Sequence, residues 1–311
     1  MLKVNVQILI FILTMAIGYI AKRLGGFKGK DAEAITRLLF NITLPCLAFT
    51  KLTNTDIKLD HVFFIALAFT AGISLQLITQ LVMFKKSKAE TGKVSVNASG
   101  FSVGLFAYPI VAAFWPEHVI YIAMFDMGNS LIVFGLNAFC GSIFSDSGEK
   151  AVFKSAAKKM LSSVPFLAYS TAMIMSILHI PFPTFLHELA SFVAQANMPA
   201  AMILLGAMLT FKFSKTELKS ITKLLIIRYS FGITAGMAIF LLLPFSETIR
   251  SVALLGMLCP IGVSSIAVAV QYKHDVKYAA AVNNTSIMIS FALIWLLFGI
   301  ILPQLGLVHI L

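Results

Sequence analysis

Asp126 and Asn129 stand three residues apart in the run FDMGNS, inside a long apolar stretch. On a helix that spacing puts both side chains on nearly the same face. An ionisable group in hydrocarbon is costly, so a carboxyl kept there is a functional candidate by default. Asp126 could bind a proton, a cation or a substrate hydroxyl. It could also pair with Arg228, the other ionisable residue well inside an apolar stretch, or cap broken backbone as a satisfied buried acid. Arg228 lies near enough to the end of its stretch for its charge to reach the membrane surface.

Two prolines divide the chain in a matching way. Pro109 lies in SVGLFAYPIVAAFW and Pro260 in LLGMLCPIGVSSIAVAV, each within a hydrophobic run that would otherwise cross a membrane as one helix. Proline removes a backbone donor and clashes with the preceding turn, so it kinks or breaks a helix. Interrupted hydrophobic segments at corresponding places in two halves point to a transporter binding site, although a lone proline is often a plain kink. Half-helices beginning after Pro109 and Pro260 would aim their N-termini at a common centre, a setting that favours an anion. Gly104 and Gly262 would let the backbones pass closely. Neutral polar residues gather near these breaks. The candidate substrate contacts are Ser102, Tyr108, Pro109, Asn129, Pro260, Ser264, Ser265 and Asn283, with Asp126 and Arg228 as candidates for coupling or gating. For any one Asn or Ser, hydrogen bonding between helices is the plainer explanation, worth about 0.6 kcal/mol.

The elements that hold these residues must be membrane helices. Of 311 residues 59% are hydrophobic and only 12% charged, with a mean hydropathy of +0.92. A spanning helix needs about 20 mainly apolar residues. Ten such stretches run roughly over 4–21, 33–52, 61–84, 94–115, 118–144, 163–180, 187–211, 222–244, 248–271 and 278–302. The first resembles a signal peptide, but Lys22 and Arg23 follow it without a small-residue cleavage site, so it reads as a retained helix.

The net charge of +11 is a topology signal rather than a nucleic-acid footprint. Nineteen of the 24 Lys and Arg fall at the ends of the odd-numbered stretches. Basic loops stay cytoplasmic, which places both termini outside the cytoplasmic membrane and attracts anionic lipid headgroups. Cys46, Cys140 and Cys259 all lie in apolar stretches without a CxxC motif or nearby histidines, so no disulfide framework or metal site is expected. With no Walker A motif there is no sign of ATP drive, and no cofactor is expected.

Ten stretches divide into five and five, and an odd number of crossings inverts the second half. NITLPCLAF and QANMPAAMI match through Pro45 and Pro199, Pro109 matches Pro260, and FDMGNSLIVF matches VNNTSIMISF with Asp126 opposite Asn283. The expected architecture is all-α: ten transmembrane helices as two inverted five-helix repeats, 1–150 and 151–311, with broken helices four and nine crossing at the midplane.

Taken in order, NITLP, GLFAYPIV, FDMGN and CPIGVSSIAVAVQYKHD followed by NNTS resemble the auxin efflux carrier family, which includes bacterial malate and malonate permeases. The resemblance implies the fold of bile-acid/sodium symporters. It implies a scaffold of helices one, two, six and seven, a mobile domain of helices three to five and eight to ten, a homodimer joined through the scaffold, and an elevator-like cycle. Pro109, Asp126, Asn129 and Pro260 match the family's run, whereas Ser102 stands where many members carry Asn. The expectation is a secondary transporter, not an enzyme, for small organic anions such as malate or auxin-like acids. A sodium-coupled symporter is the nearest alternative, and a membrane sensor on a transporter fold is the alternative from another class.

Overall fold

The computed structural model describes residues 2–53, 55–145, 153–210 and 215–307. The expected boundary at residue 150 lies outside the described residues, as do Lys150, Lys212 and His309. The chain opens with α1 (Leu2–Arg23), α2 (Lys30–Leu52) and α3 (Leu59–Met83). Next come α4 (Lys88–Ser95), α5 (Val103–Phe114) and α6 (Pro116–Ile143). The short α7 (Phe153–Leu161) leads into α8 (Val164–Ile177), α9 (Thr184–Met208) and α10 (Glu217–Leu242). Last are α11 (Glu247–Met257), α12 (Ser264–Gln271) and α13 (Val276–Gln304). No strand occurs among the described residues, which contain one isolated β-bridge.

Seven of these helices (α1, α2, α3, α6, α9, α10 and α13) are long and apolar enough to span a membrane. The stretches 94–115 and 248–271, expected to be broken, hold interrupted helices, and 163–180 holds a shorter helix, Val164–Ile177. Their outer faces carry large apolar side chains, such as Leu9, Leu13 and Ile17 on α1 and Leu77 and Leu81 on α3. That distribution suits lipid, where burial alone does not hold helices together.

Close approach does that work. Gly18 of α1 lies against the Ile203 carbonyl of α9, and Gly206 of α9 lies against the Met15 carbonyl of α1. A Cβ at either position would overlap a carbonyl oxygen, so the two helices hold each other through reciprocal glycines. Two residues ahead of Pro45 and of Pro199, Thr43 and Asn197 join α2 to α9 by a side-chain hydrogen bond of 2.9 Å.

Only one of the two breaks lies where its proline would put it. The second interruption, 258–263, does contain Pro260. The first covers 96–102, ahead of Pro109, which lies within α5 behind a wide turn at Val103–Ala107. A wide turn already lacks the regular i→i−4 ladder, so a proline at its end costs little. The interrupting sequence is the small, polar run Asn97–Ser102. Gly104 does not let backbones pass; its open face receives the Phe40 ring. Gly262 does meet backbone, since a Cβ there would lie 3.2 Å from the Phe101 carbonyl oxygen.

Candidate functional site

The two interruptions lie side by side. Phe101 and Ile261 form an antiparallel bridge. The Ser102 N–H donates to the Pro260 carbonyl at 2.8 Å, and the Gly262 N–H donates to the Gly100 carbonyl at 3.4 Å. Non-helical backbone at membrane depth needs partners in the protein, and each break supplies some for the other.

The following helices supply more. Asn129 of α6 accepts from the Phe101 N–H at 2.9 Å and donates to the Phe101 carbonyl at 3.0 Å. On the other side Asn283 of α13 donates to the Ile261 carbonyl at 2.6 Å, and Ser286 Oγ accepts from the Ile261 N–H at 3.0 Å. Ser99 Oγ donates to Asn137 and Gln76 on the helices flanking the first break.

Arg228 of α10 closes the arrangement. Its guanidinium donates to the carbonyls of Ala98 (3.2 Å), Cys259 (2.9 Å) and Pro260 (3.2 Å) and lies 4.6 Å above the Phe101 ring. These carbonyls follow the C-terminal ends of α4 and α11, where the helix dipole favours a cation. Arg228 is 1% exposed, so its charge does not reach the surface, and its partners are carbonyls rather than Asp126.

A cavity of about 320 Å³ lies against this centre. One wall is made by the breaks and the starts of α5 and α12, through Ser102, Val103, Val263 and Ser264. Asp126 and Asn129 form a second wall, and Thr36 and Phe40 of α2 with Ser163 and Pro165 at the start of α8 complete the lining. Wide turns in α2, α5 and α6 all border it; such turns are frequent at functional sites. A larger cleft of about 620 Å³ lies between α4, the end of α6 and the α12–α13 connection, away from both breaks. The smaller cavity is the stronger candidate because the broken backbone is there.

Of the residues selected from sequence, Ser102, Asp126, Asn129 and Ser264 therefore meet at one cavity. Pro260, Ser265 and Asn283 lie behind its wall, in the layer that holds the second break. Tyr108 and Pro109 are buried in α5, where the Tyr108 ring stacks on Tyr169 with centroids 5.8 Å apart. Tyr169 of α8 was not selected. Its hydroxyl donates to Asp126 at 3.4 Å, and Asn129 donates to the other carboxylate oxygen at 3.2 Å. A single tyrosine in an apolar stretch carries no motif, so only the packing of α8 against α6 discloses it.

The chemistry of the cavity is mixed in sign. The starts of α5 and α12 carry a partial positive charge, although at α12 the Ser265 and Ile266 N–H groups already donate to the Gly262 and Val263 carbonyls. Hydroxyls of Ser102, Ser130, Ser163, Ser264 and Thr36 ring the space. Asp126 brings the one carboxyl among the residues lining it. Such a site can hold a small anion against helix termini while an acid beside it carries a proton.

Residues 3–150 match the family described as membrane transport protein. The chain is also 23% identical over 288 residues to an uncharacterized transporter of Methanothermobacter thermautotrophicus, covering 91% of this chain and 93% of that protein.

Proposed function

Residues 3–150 match the membrane transport protein family, and from that match we propose that the chain carries small organic anions across the cytoplasmic membrane by alternating access. It is a multi-pass membrane protein and a transporter rather than an enzyme. The observation that carries the anion reading is the convergence of two helix starts, at Val103 and Ser264, on one cavity. Helix N-termini favour negative charge, and the surrounding hydroxyls suit a carboxylate. The volume, about 320 Å³, is at the small end of the ~300–1,000 Å³ of small-molecule sites.

Ten crossings in two inverted repeats complete the reading. It is supported by the Thr43–Asn197 bond between matching positions, and by the facing breaks at Phe101 and Ile261. In this scheme α1, α2, α8 and α9 are the static part, and the breaks move with α3–α6 and α10–α13. The cavity lies between the two parts, as an elevator-like cycle requires. Its scaffold wall is the first half of α2 and the start of α8; with the basic loops in the cytoplasm, this scheme has the site open inward. Asp126 is the coupling group: a carboxylate would repel a bound anion, so the anion enters with a proton. A homodimer through the static part belongs to the same scheme.

Flux of labelled malate and other carboxylates into proteoliposomes, with proton, sodium and electrical gradients imposed one at a time, tests this. Uptake driven by a proton gradient is the expected result. Uptake driven only by sodium would replace the coupling assignment, and no carboxylate flux from folded protein would remove the anion assignment.

A further inference from the structure

A second site lies apart from the central cavity, where α3 ends and α10 begins. There, four lysines (Lys86, Lys93, Lys219 and Lys223) line a pocket of about 230 Å³ with a single carboxylate, Glu90. None of the four forms an ion pair among the described residues. Lys93 is half-buried and holds its ammonium 4.8 Å from the Tyr278 ring, which fixes its position without neutralising it. The remaining wall is Ser220 with the apolar Met83, Val94, Leu224 and Ile227.

Four unpaired cations around an apolar hollow are an anion site with a hydrocarbon side. The pocket sits at the ends of two membrane-length helices, α3 and α10. One turn beyond Lys223 on α10, Ile226 is exposed on nearly the same helix face. Lysines at the ends of such helices, beside an exposed apolar side chain, match a molecule whose anionic head and apolar tails are joined. Basic pockets between transmembrane helices bind lipid headgroups in this way, at about 1 kcal/mol per lysine near the surface.

We propose that this pocket binds the phosphate headgroup of an anionic phospholipid, with its acyl chains along the exposed face of α10 at Ile226. The same phosphate chemistry could reach the lysines as a free ion; the position of the pocket at the ends of membrane-length helices favours the lipid. Occupancy would brace the first break, because Asn97 at its start donates to the Lys93 carbonyl at 2.9 Å.

The test uses the full-length protein in detergent, titrated with phosphatidylglycerol, phosphatidylcholine or inorganic phosphate. Retained lipid is read by native mass spectrometry and protein integrity by gel filtration. Phosphatidylglycerol should be retained over phosphatidylcholine. The triple variant Lys93→Gln, Lys219→Gln, Lys223→Gln should retain it on the order of a hundredfold more weakly. A control with equal charge loss, Lys28→Gln, Lys30→Gln, Lys154→Gln, should bind as wild type. Should the triple variant not fold, Lys223→Gln alone must show roughly a fivefold loss. Equal retention by the pocket variant and the control would overturn the proposal. Displacement of the lipid by millimolar inorganic phosphate would overturn the lipid assignment in favour of a free anion.

Discussion

Asn129 and Asn283 grip opposite members of one bridge. Asn129 binds both the N–H and the carbonyl of Phe101, whereas Asn283 takes only the Ile261 carbonyl and leaves the N–H to Ser286. In the alignment of the two halves Asp126 falls opposite Asn283 and Asn129 opposite Ser286. One asparagine does in the first half what two residues share in the second. Asp126 is thereby released from backbone duty and left to line the cavity.

Replacing Asn129 tests that division. Asn129→Ala removes two buried hydrogen bonds at about 1 kcal/mol each and leaves the Phe101 amide short of a partner. Thermal unfolding in detergent should show a loss on the order of 2 kcal/mol or more. Asn129→Asp keeps the acceptor but turns an oxygen towards the Phe101 carbonyl and the Asp126 carboxylate, both of which accept from the amide, so it should be no more stable than the alanine variant. An unchanged melting profile for the alanine variant would mean that the bridge holds without it.

Arg228 should tolerate even less. Arg228→Met strips three carbonyls of a charged donor, and hydrogen bonds to charged groups contribute about 1.5–3 kcal/mol each. A stability loss on the order of 3 kcal/mol and loss of flux are expected. Arg228→Lys keeps the charge, but one ammonium cannot reproduce the planar fork, so it should recover stability only in part. Full recovery by lysine would show that charge alone matters.

The two prolines should behave differently. Pro109→Ala adds an N–H inside α5, where a carbonyl one turn back can receive it. Pro260→Ala adds a donor in a buried interruption already crowded with donors to its own carbonyl and that of Cys259. A buried donor without a partner costs about 1–3 kcal/mol. Flux measured side by side should fall for Pro260→Ala and stay near wild type for Pro109→Ala. The reverse order would contradict the placement of the first break at 96–102.

Acidity supplies a separate check. Two negative charges about 5 Å apart repel by roughly 3 kcal/mol at an effective dielectric constant near 20. An anion in the cavity therefore binds more tightly when Asp126 holds a proton. Anion affinity in wild type should rise as pH falls, and Asp126→Asn should bind with little pH dependence. Titration calorimetry at several pH values decides this, with persistent pH dependence in the variant removing Asp126 from the coupling role.

Much of the framework was legible from the sequence because hydrophobic length is a local property. The Asp126–Asn129 spacing, the Pro260 interruption and the basic asymmetry are local as well. Pro109 misled because a wide turn absorbs it, while the break came from the less conspicuous Asn97–Ser102 run. Arg228 looked like an interfacial residue or a partner for Asp126, because carbonyls at helix ends leave no trace in composition. Tyr169 and Thr36 reach the site only through the packing of α8 and α2. Contacts made across the fold, and to backbone rather than side chains, are the part that one-dimensional patterns cannot show.

Arg228, held by carbonyls and the Phe101 ring rather than by a carboxylate, has an electrical consequence. With Asp126 ionised and the cavity empty, the two residues together are neutral. After one monovalent anion and one proton have entered, Asp126 is neutral, Arg228 balances the anion, and the sum is again zero. Loaded and empty forms then cross the bilayer with equal charge, so the exchange of one for the other transfers no current. On the proposed proton-coupled cycle a monovalent anion would move without regard to membrane voltage, whereas a divalent one such as malate would carry one net charge across.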